Sequence, residues 1–137
     1  MIERVYDTEK VELLKLDENI LELNYNSGEK CRIQQDDADK ITECIAGFSK
    51  KNGHLFSLLI IINKNTVLTK KAMRVFAKFK KTRNRALIIR NTRLPIHKIL
   101  NLLIKFSPRF KFRVFINRKN AIYWLNAEKS TGKNLSS

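Results

Sequence analysis

The chain is poor in the residues that build small reactive sites. Its 137 residues include four glycines, two prolines, two cysteines and two histidines. Cys31 and Cys44 lack CxxC spacing and are too few for a disulfide framework or a thiolate metal site, and the scattered glycines form no phosphate-binding loop. His54 and His97 have no acidic or cysteine neighbour at metal-ligand spacing. We therefore expect no metal and no cofactor, and a protein that is not an enzyme.

Long apolar runs are also missing. No run approaches the roughly eighteen residues that a membrane-spanning helix needs, and no signal-peptide pattern opens the chain. A soluble, cytoplasmic protein is the expectation. With 43% hydrophobic and 30% charged residues, a chain of this length can bury one core. We predict one domain over residues 1–128, and the polar composition that follows predicts a disordered tail over 129–137.

Acidic residues almost disappear from the second half of the chain. Residues 1–68 carry 9 Lys/Arg against 12 Asp/Glu, a net −3, whereas residues 69–137 carry 19 against one, a net +18, which together give +15. Such a half attracts polyanions, whether nucleic acid, an anionic membrane surface or an acidic protein. The simpler interpretation is a charged surface that keeps the protein in solution.

Periodicity predicts the elements of the first half. Residues 11–16 and 20–25 alternate as half-buried strands, with Glu22 and Asn24 on the water-facing side, and residues 30–34 form a third short strand. Together they predict an antiparallel meander. A helix should follow, with aspartates in its first turn and Gly53 as its left-handed stop.

The second half alternates helices and strands. The apolar runs 58–62 and 86–89 predict central parallel strands, and 110–116 predicts a further one. Between and after them we predict three helices. The first is capped by Thr69, the second begins at Pro95 and the third is capped by Asn117. The fold class is therefore α/β, bordering on α+β, with a meander that continues into a mixed sheet and about four helices.

This order of elements resembles the STAS-like domains, and most closely a small bacterial subgroup of single-domain members. The resemblance is carried by Leu-Leu-Ile-Ile-Ile-Asn before the capped helix, Arg-Ala-Leu-Ile-Ile-Arg-Asn, Phe-Arg-Val-Phe-Ile-Asn and Ala-Ile-Tyr-Trp-Leu. It implies a non-enzymatic domain that binds a partner protein or a small ligand. Regulatory STAS domains carry a phosphorylatable serine at the start of the helix after the central strand. This chain has Thr69 and no serine there, which puts that phospho-switch in doubt.

Two sets of residues are candidate sites. The carboxyl ends of the two central parallel strands should meet at one edge of the sheet, where α/β proteins bind ligands, beside the amides that open the Pro95 helix. This predicts an anion site formed by Asn63, Lys64, Arg90, Asn91, Thr92 and Arg93. The second set is a basic patch of five residues within eight: Lys78, Lys80, Lys81, Arg83 and Arg85. The patch suits either a helix C-terminus or a nucleic-acid backbone.

The function expected from these observations is binding without catalysis. The first expectation is a STAS-like interaction domain that contacts a partner protein, or a second copy of itself, through the apolar helix over 95–106. The first alternative is sequence-independent polyanion binding, above all of nucleic acid, by the basic half over 69–119. The second alternative is a small ligand, either an apolar molecule or lipid bound beneath the 95–106 helix or an anion bound at the predicted anion site.

Overall fold

A computed structural model of the protein describes residues 2–25, 31–62, 66–89 and 112–136. In these ranges it contains eight strands and three helices, which confirms the mixed α/β class. The strands are β1 (Glu3–Asp7), β2 (Val11–Lys15), β3 (Ile20–Tyr25), β4 (Cys31–Ile33), β5 (Ser57–Ile62), β6 (Thr66–Leu68), β7 (Arg85–Ile89) and β8 (Phe112–Phe115). The helices are α1 (Gln35–Asn52), α2 (Lys70–Lys78) and α3 (Arg118–Ser136).

The main sheet has six strands in the order β1-β2-β3-β5-β7-β8. Its first three strands are antiparallel neighbours, and β3, β5, β7 and β8 are parallel. All six residues of β5 are buried, and Ile60 pairs with Leu87 of β7. The prediction that the two apolar runs lie side by side in the middle of one sheet is confirmed.

The predicted meander is partly wrong. Residues 31–33 do not join the main sheet but pair in parallel with β6 to form a separate two-stranded sheet. The place beside β3 is taken by the fully buried β5. The third meander strand is instead β1, which the sequence analysis missed because this edge strand is mostly exposed and has little apolar alternation.

Helices cover both faces of the main sheet. On one face, α1 and α2 pack over a core that includes Leu23, Ile45, Phe56 and Phe76. On the other face, Ala121 and Leu125 of α3 pack on a smaller apolar cluster. The result is a three-layer arrangement in which α1 and α2 are neighbours. The two helices follow β4 and β6, and the Thr69 N–H donates to the Ile33 carbonyl at 3.1 Å.

The prediction that Glu22 lies on a water-facing side of β3 is wrong. Glu22 was expected to face water, but it is only 4% exposed because α3 covers this side of the sheet. Its carboxylate accepts hydrogen bonds from Arg118 Nε at 2.8 Å and from Asn24 Nδ2 at 3.0 Å. A buried carboxylate needs such partners, so the first residue of α3 is tied to the centre of the sheet.

The helix termini follow the predicted capping residues. The Thr69 hydroxyl accepts from the Ala72 N–H at 3.1 Å, and Gly53 has φ of 76° after α1. The Asn117 carboxamide oxygen accepts from the Lys119 N–H at 2.7 Å. The predicted helix over 95–106 lies outside the described residues. The bounds of α3 include positions 129–136, which the sequence analysis assigned to a tail. Within the described ranges, no helix has the length and apolar character needed to cross a bilayer.

Candidate functional site

The two predicted sites fall on very different parts of the structure. The anion-site residues lie outside the described residues, so that site stays a prediction: Asn63, Lys64, Arg90, Asn91, Thr92 and Arg93. The basic patch lies within the described part. Lys78 ends α2, Lys80 and Lys81 follow it, and all three are exposed. Arg83 is half-buried and Arg85 is buried, so the five residues do not form one surface.

The exposed part of this surface begins further upstream, on α2 itself. Ala72, Phe76 and Ala77 face the core, which leaves Lys70, Lys71, Arg74 and Lys78 exposed. At 3.6 residues per turn, these four side chains occupy an arc of about 100°. We call the exposed basic residues of α2 together with Lys80 and Lys81 the α2 basic face. The predicted basic patch included three members of this face, Lys78, Lys80 and Lys81.

No acidic residue lies in this region of the chain. The segment 66–89 contains eight basic residues and no Asp or Glu. The five lysines of the α2 basic face also make no ion pair or side-chain hydrogen bond with the residues that the structure describes. These lysines are Lys70, Lys71, Lys78, Lys80 and Lys81. Their charges are therefore available to an external anion.

Some basic side chains elsewhere in the described structure are paired. Lys10 Nζ lies 2.7 Å from the Asp37 carboxylate, and this hydrogen bond raises the pKa of Lys10. Arg4 contacts the carboxylates of Asp7 and Glu12 at 3.4 and 3.3 Å. Lys40, Lys50 and Lys119 also make no ion pair with the described residues, so the α2 basic face is distinguished by the density of its charges along one side of a helix.

Arg85 does not belong to the α2 basic face but supports the end of α2 from the core side. Its guanidinium is buried and donates to the carbonyls of Phe76 and Phe79 and, at 3.0 Å, to the Thr82 hydroxyl. The last carbonyls of a helix have no partner inside the helix, and Arg85 supplies one. The same three bonds hold the segment that carries Lys80 and Lys81 against the end of α2.

Burial has an electrostatic consequence for Arg85. Removal from water lowers the pKa of its guanidinium to about 10, and the nearby Tyr25 acts in the opposite direction. Burial raises the pKa of Tyr25 above its ordinary value. One feature of the sequence indicates this placement, because Arg85 immediately precedes the apolar run of a central strand. A charge at the end of such a strand is held close to the core.

Within the described residues, no three His, Cys, Asp or Glu side chains come together as a possible metal site. His54 contacts two backbone carbonyl oxygens, of Glu18 at 2.7 Å and Asn52 at 3.2 Å. The α2 basic face has the side chains needed to bind anions.

No family model matches the chain, and neither a curated protein nor a solved structure matches it significantly. The likeness to STAS-like domains therefore rests on the sequence segments quoted above and stays a prediction.

Proposed function

We propose that the protein is a non-catalytic binding domain whose α2 basic face contacts the phosphate backbone of a nucleic acid. The observation that carries this proposal is the set of five exposed lysines that have no partner within the described structure. Lysine and arginine bind phosphates by displacing condensed counterions, which does not depend on base sequence.

The position of two of these lysines supports the proposal. Lys70 and Lys71 occupy the first turn of α2, where the helix dipole is positive and no acidic side chain is present. Cations there oppose the helix by about 0.3 to 1 kcal/mol each. A phosphate placed against this turn would be attracted by the lysines and by the free amides of the helix. Residues that disfavour their own helix are readily explained if they bind an anion.

Partner-protein binding remains the prediction of the sequence resemblance. Its principal element, the helix over 95–106, lies outside the described residues. The expectation of a homodimer contact through that helix therefore stays a prediction, as does contact with an anionic membrane surface.

The proposed function is tested by a salt titration of binding to a random-sequence duplex, followed by fluorescence anisotropy. The test variant combines Lys71→Gln, Arg74→Gln and Lys78→Gln. The control combines Arg4→Gln, Lys40→Gln and Lys119→Gln, which removes the same charge from exposed positions elsewhere.

If the α2 basic face contacts three phosphates, the test variant lowers the slope of log K against log salt by about 2.7 in magnitude. The control variant should retain most of the wild-type slope. Equal losses in the two variants would show that net charge alone attracts the duplex. A wild-type affinity that is insensitive to salt would exclude phosphate contacts altogether.

A further inference from the structure

A pocket of about 540 Å³ lies where the end of α1 meets the segment that follows α2. Its lining combines apolar groups of Ala46, Gly47 and Leu55 with the cationic side chain of Lys50. Lys81, a member of the α2 basic face, also lines it. The volume falls in the range of small-molecule sites. The pocket is therefore continuous with the proposed phosphate-binding surface but has a different lining.

An aromatic ring is held in place at this pocket. His54 is exposed, yet its Nε2 lies 2.7 Å from the Glu18 carbonyl oxygen and its Nδ1 lies 3.2 Å from that of Asn52. The ring also packs on Phe56, with centroids 4.5 Å apart. A neutral imidazole has one N–H, so one of these two contacts is a hydrogen bond. An exposed ring that is already held by a hydrogen bond and by packing on Phe56 loses little freedom when a second ring stacks on it.

One buried polar group in the lining has no partner. Ser49 is 5% exposed, and its hydroxyl makes no hydrogen bond with the described residues. A buried hydroxyl without a partner is costly, and most buried polar groups in proteins are satisfied. The hydroxyl oxygen is enclosed, so a ligand would reach it only if the Ser49 side chain turned toward the pocket.

We propose that this pocket takes one unpaired base of a single-stranded nucleic acid. The base stacks on the His54 ring among the apolar groups, and Lys50 and Lys81 contact the adjacent phosphates. Base stacking on aromatic side chains is how proteins hold single strands with little sequence preference. This inference rests on the proposed function, because the same strand follows the α2 basic face.

A preference for single strands distinguishes this proposal from simple phosphate binding. In a duplex, a base must leave its stack before it can enter a protein pocket. The pocket therefore contributes to the binding of a single strand but not to the binding of an intact duplex. The α2 basic face contributes to both.

Gly47 allows the pocket to be filled without disturbing the fold. A Cβ added at this helical glycine would have no atom within 4 Å. Gly47→Leu therefore places a side chain in the pocket and removes a weak helix former. The matched control is Gln35→Leu, an exposed position about 18 Å away along the same helix.

The experiment measures binding of a short single strand that contains 2-aminopurine, whose fluorescence falls when it stacks, and of a matched duplex. We expect wild-type protein and Gln35→Leu to quench the single strand at saturation. Gly47→Leu should lose the quenching and about tenfold in single-strand affinity, while its duplex affinity stays within twofold.

The outcomes separate this inference from the proposed function. Salt-dependent binding of both nucleic acids without quenching, or with no effect of Gly47→Leu, overturns the pocket assignment and leaves the proposed function intact. If neither nucleic acid binds, both fail. A polyglutamate chain of equal charge that displaces the single strand equally well also overturns the inference, in favour of an acidic protein partner.

Discussion

The helices α1 and α2 lie side by side on one face of the sheet but begin with opposite charges. The first turn of α1 carries Asp36 and Asp37, and its last turn carries Lys50 and Lys51. This arrangement complements the helix dipole at both ends. The first turn of α2 contains no acidic residue and begins with two lysines. The charges of α1 therefore stabilise their own helix, and those of α2 do not.

The two helices also end differently. After α1 the chain turns through Gly53, whose N–H donates to the Ser49 carbonyl at 2.9 Å. This is a local solution that uses one glycine in the left-handed conformation. The residue that ends α2 is Phe79, in extended conformation, and Arg85 reaches the last carbonyls from the core. The end of α2 is thus stabilised by a buried side chain from the first residue of β7, six residues beyond Phe79.

The difference indicates that the charged residues of α1 serve the stability of that helix, whereas those of α2 serve its outer surface. Capping residues and charges account for α1 without reference to a partner. The short α2 depends on Thr69, on the core and on Arg85, while its outer side presents positive charge. Four changes test this contrast.

The largest effect is expected at Arg85, because its removal frees the end of α2. Arg85→Ala leaves the carbonyls of Phe76 and Phe79 without their buried donor, and unsatisfied buried groups of this kind are costly. We expect a loss of about 3 kcal/mol in the free energy of unfolding. Lys80→Ala, in the same segment but exposed, should stay within about 0.5 kcal/mol of wild type. Urea denaturation measures both, and similar values for the two variants would contradict the proposed clamp.

The core beneath the helices should also respond to alkaline pH. Burial raises the pKa of Tyr25 above that of an unfolded tyrosine, about 10, so its contribution to stability is present below that pH and is lost as the pH rises. Arg85 has the opposite sign, because its pKa is lowered by burial to about 10 and the folded protein loses the proton first.

Comparison with Tyr25→Phe isolates the tyrosine. Between pH 10 and 11, wild type should lose up to about 1.4 kcal/mol more stability than the variant. Urea unfolding at pH 9, 10 and 11 provides the values. Parallel stability curves for the two proteins would show that Tyr25 ionises equally easily in the folded and unfolded states.

A smaller effect is expected at the end of α1. Gly53 has φ of 76°, a conformation that costs a side-chain-bearing residue about 1 kcal/mol. Gly53→Ala should lower the free energy of unfolding by about that amount. Gly47→Ala, in the interior of the same helix, should instead raise it. If thermal unfolding shifted both variants in the same direction, the left-handed stop would not be what ends α1.

The smallest effect concerns the first turns. Lys70→Glu should stabilise the protein by about 0.5 kcal/mol, because an acidic residue then lies at the positive end of α2. Asp36→Lys should destabilise it by a similar amount through α1. Only Lys70→Glu should also weaken nucleic-acid binding. Chemical denaturation and anisotropy on the same samples check both expectations, and a Lys70→Glu protein of lower stability would contradict the analysis of α2.

The sequence was sufficient for elements that depend on local patterns. Unbroken apolar runs identified β5 and β7 as central, and Thr69 and Gly53 marked helix ends because capping is a property of a few neighbouring residues. The pairing of strands that lie far apart in the sequence was harder to predict from local patterns. Residues 31–33 form an adequate strand in either sheet, and only the position of β5 decides which.

The surroundings of individual charges were the least predictable. Glu22 alternates with leucines as an exposed residue would, and only the placement of α3 makes it buried. Arg85 belongs to a dense basic segment, yet its side chain enters the core. The α2 basic face follows from helical spacing, and the structure adds that its residues are exposed.

The most direct test of the account moves charge within the molecule while its total stays at +15. Lys71→Glu and Lys78→Glu reverse two charges on the α2 basic face, and Glu3→Lys and Asp7→Lys restore them on β1, the outer strand of the sheet. Circular dichroism verifies the fold, and anisotropy gives the affinity for a random duplex. We predict a loss of at least about tenfold. An affinity equal to that of wild type would contradict the account.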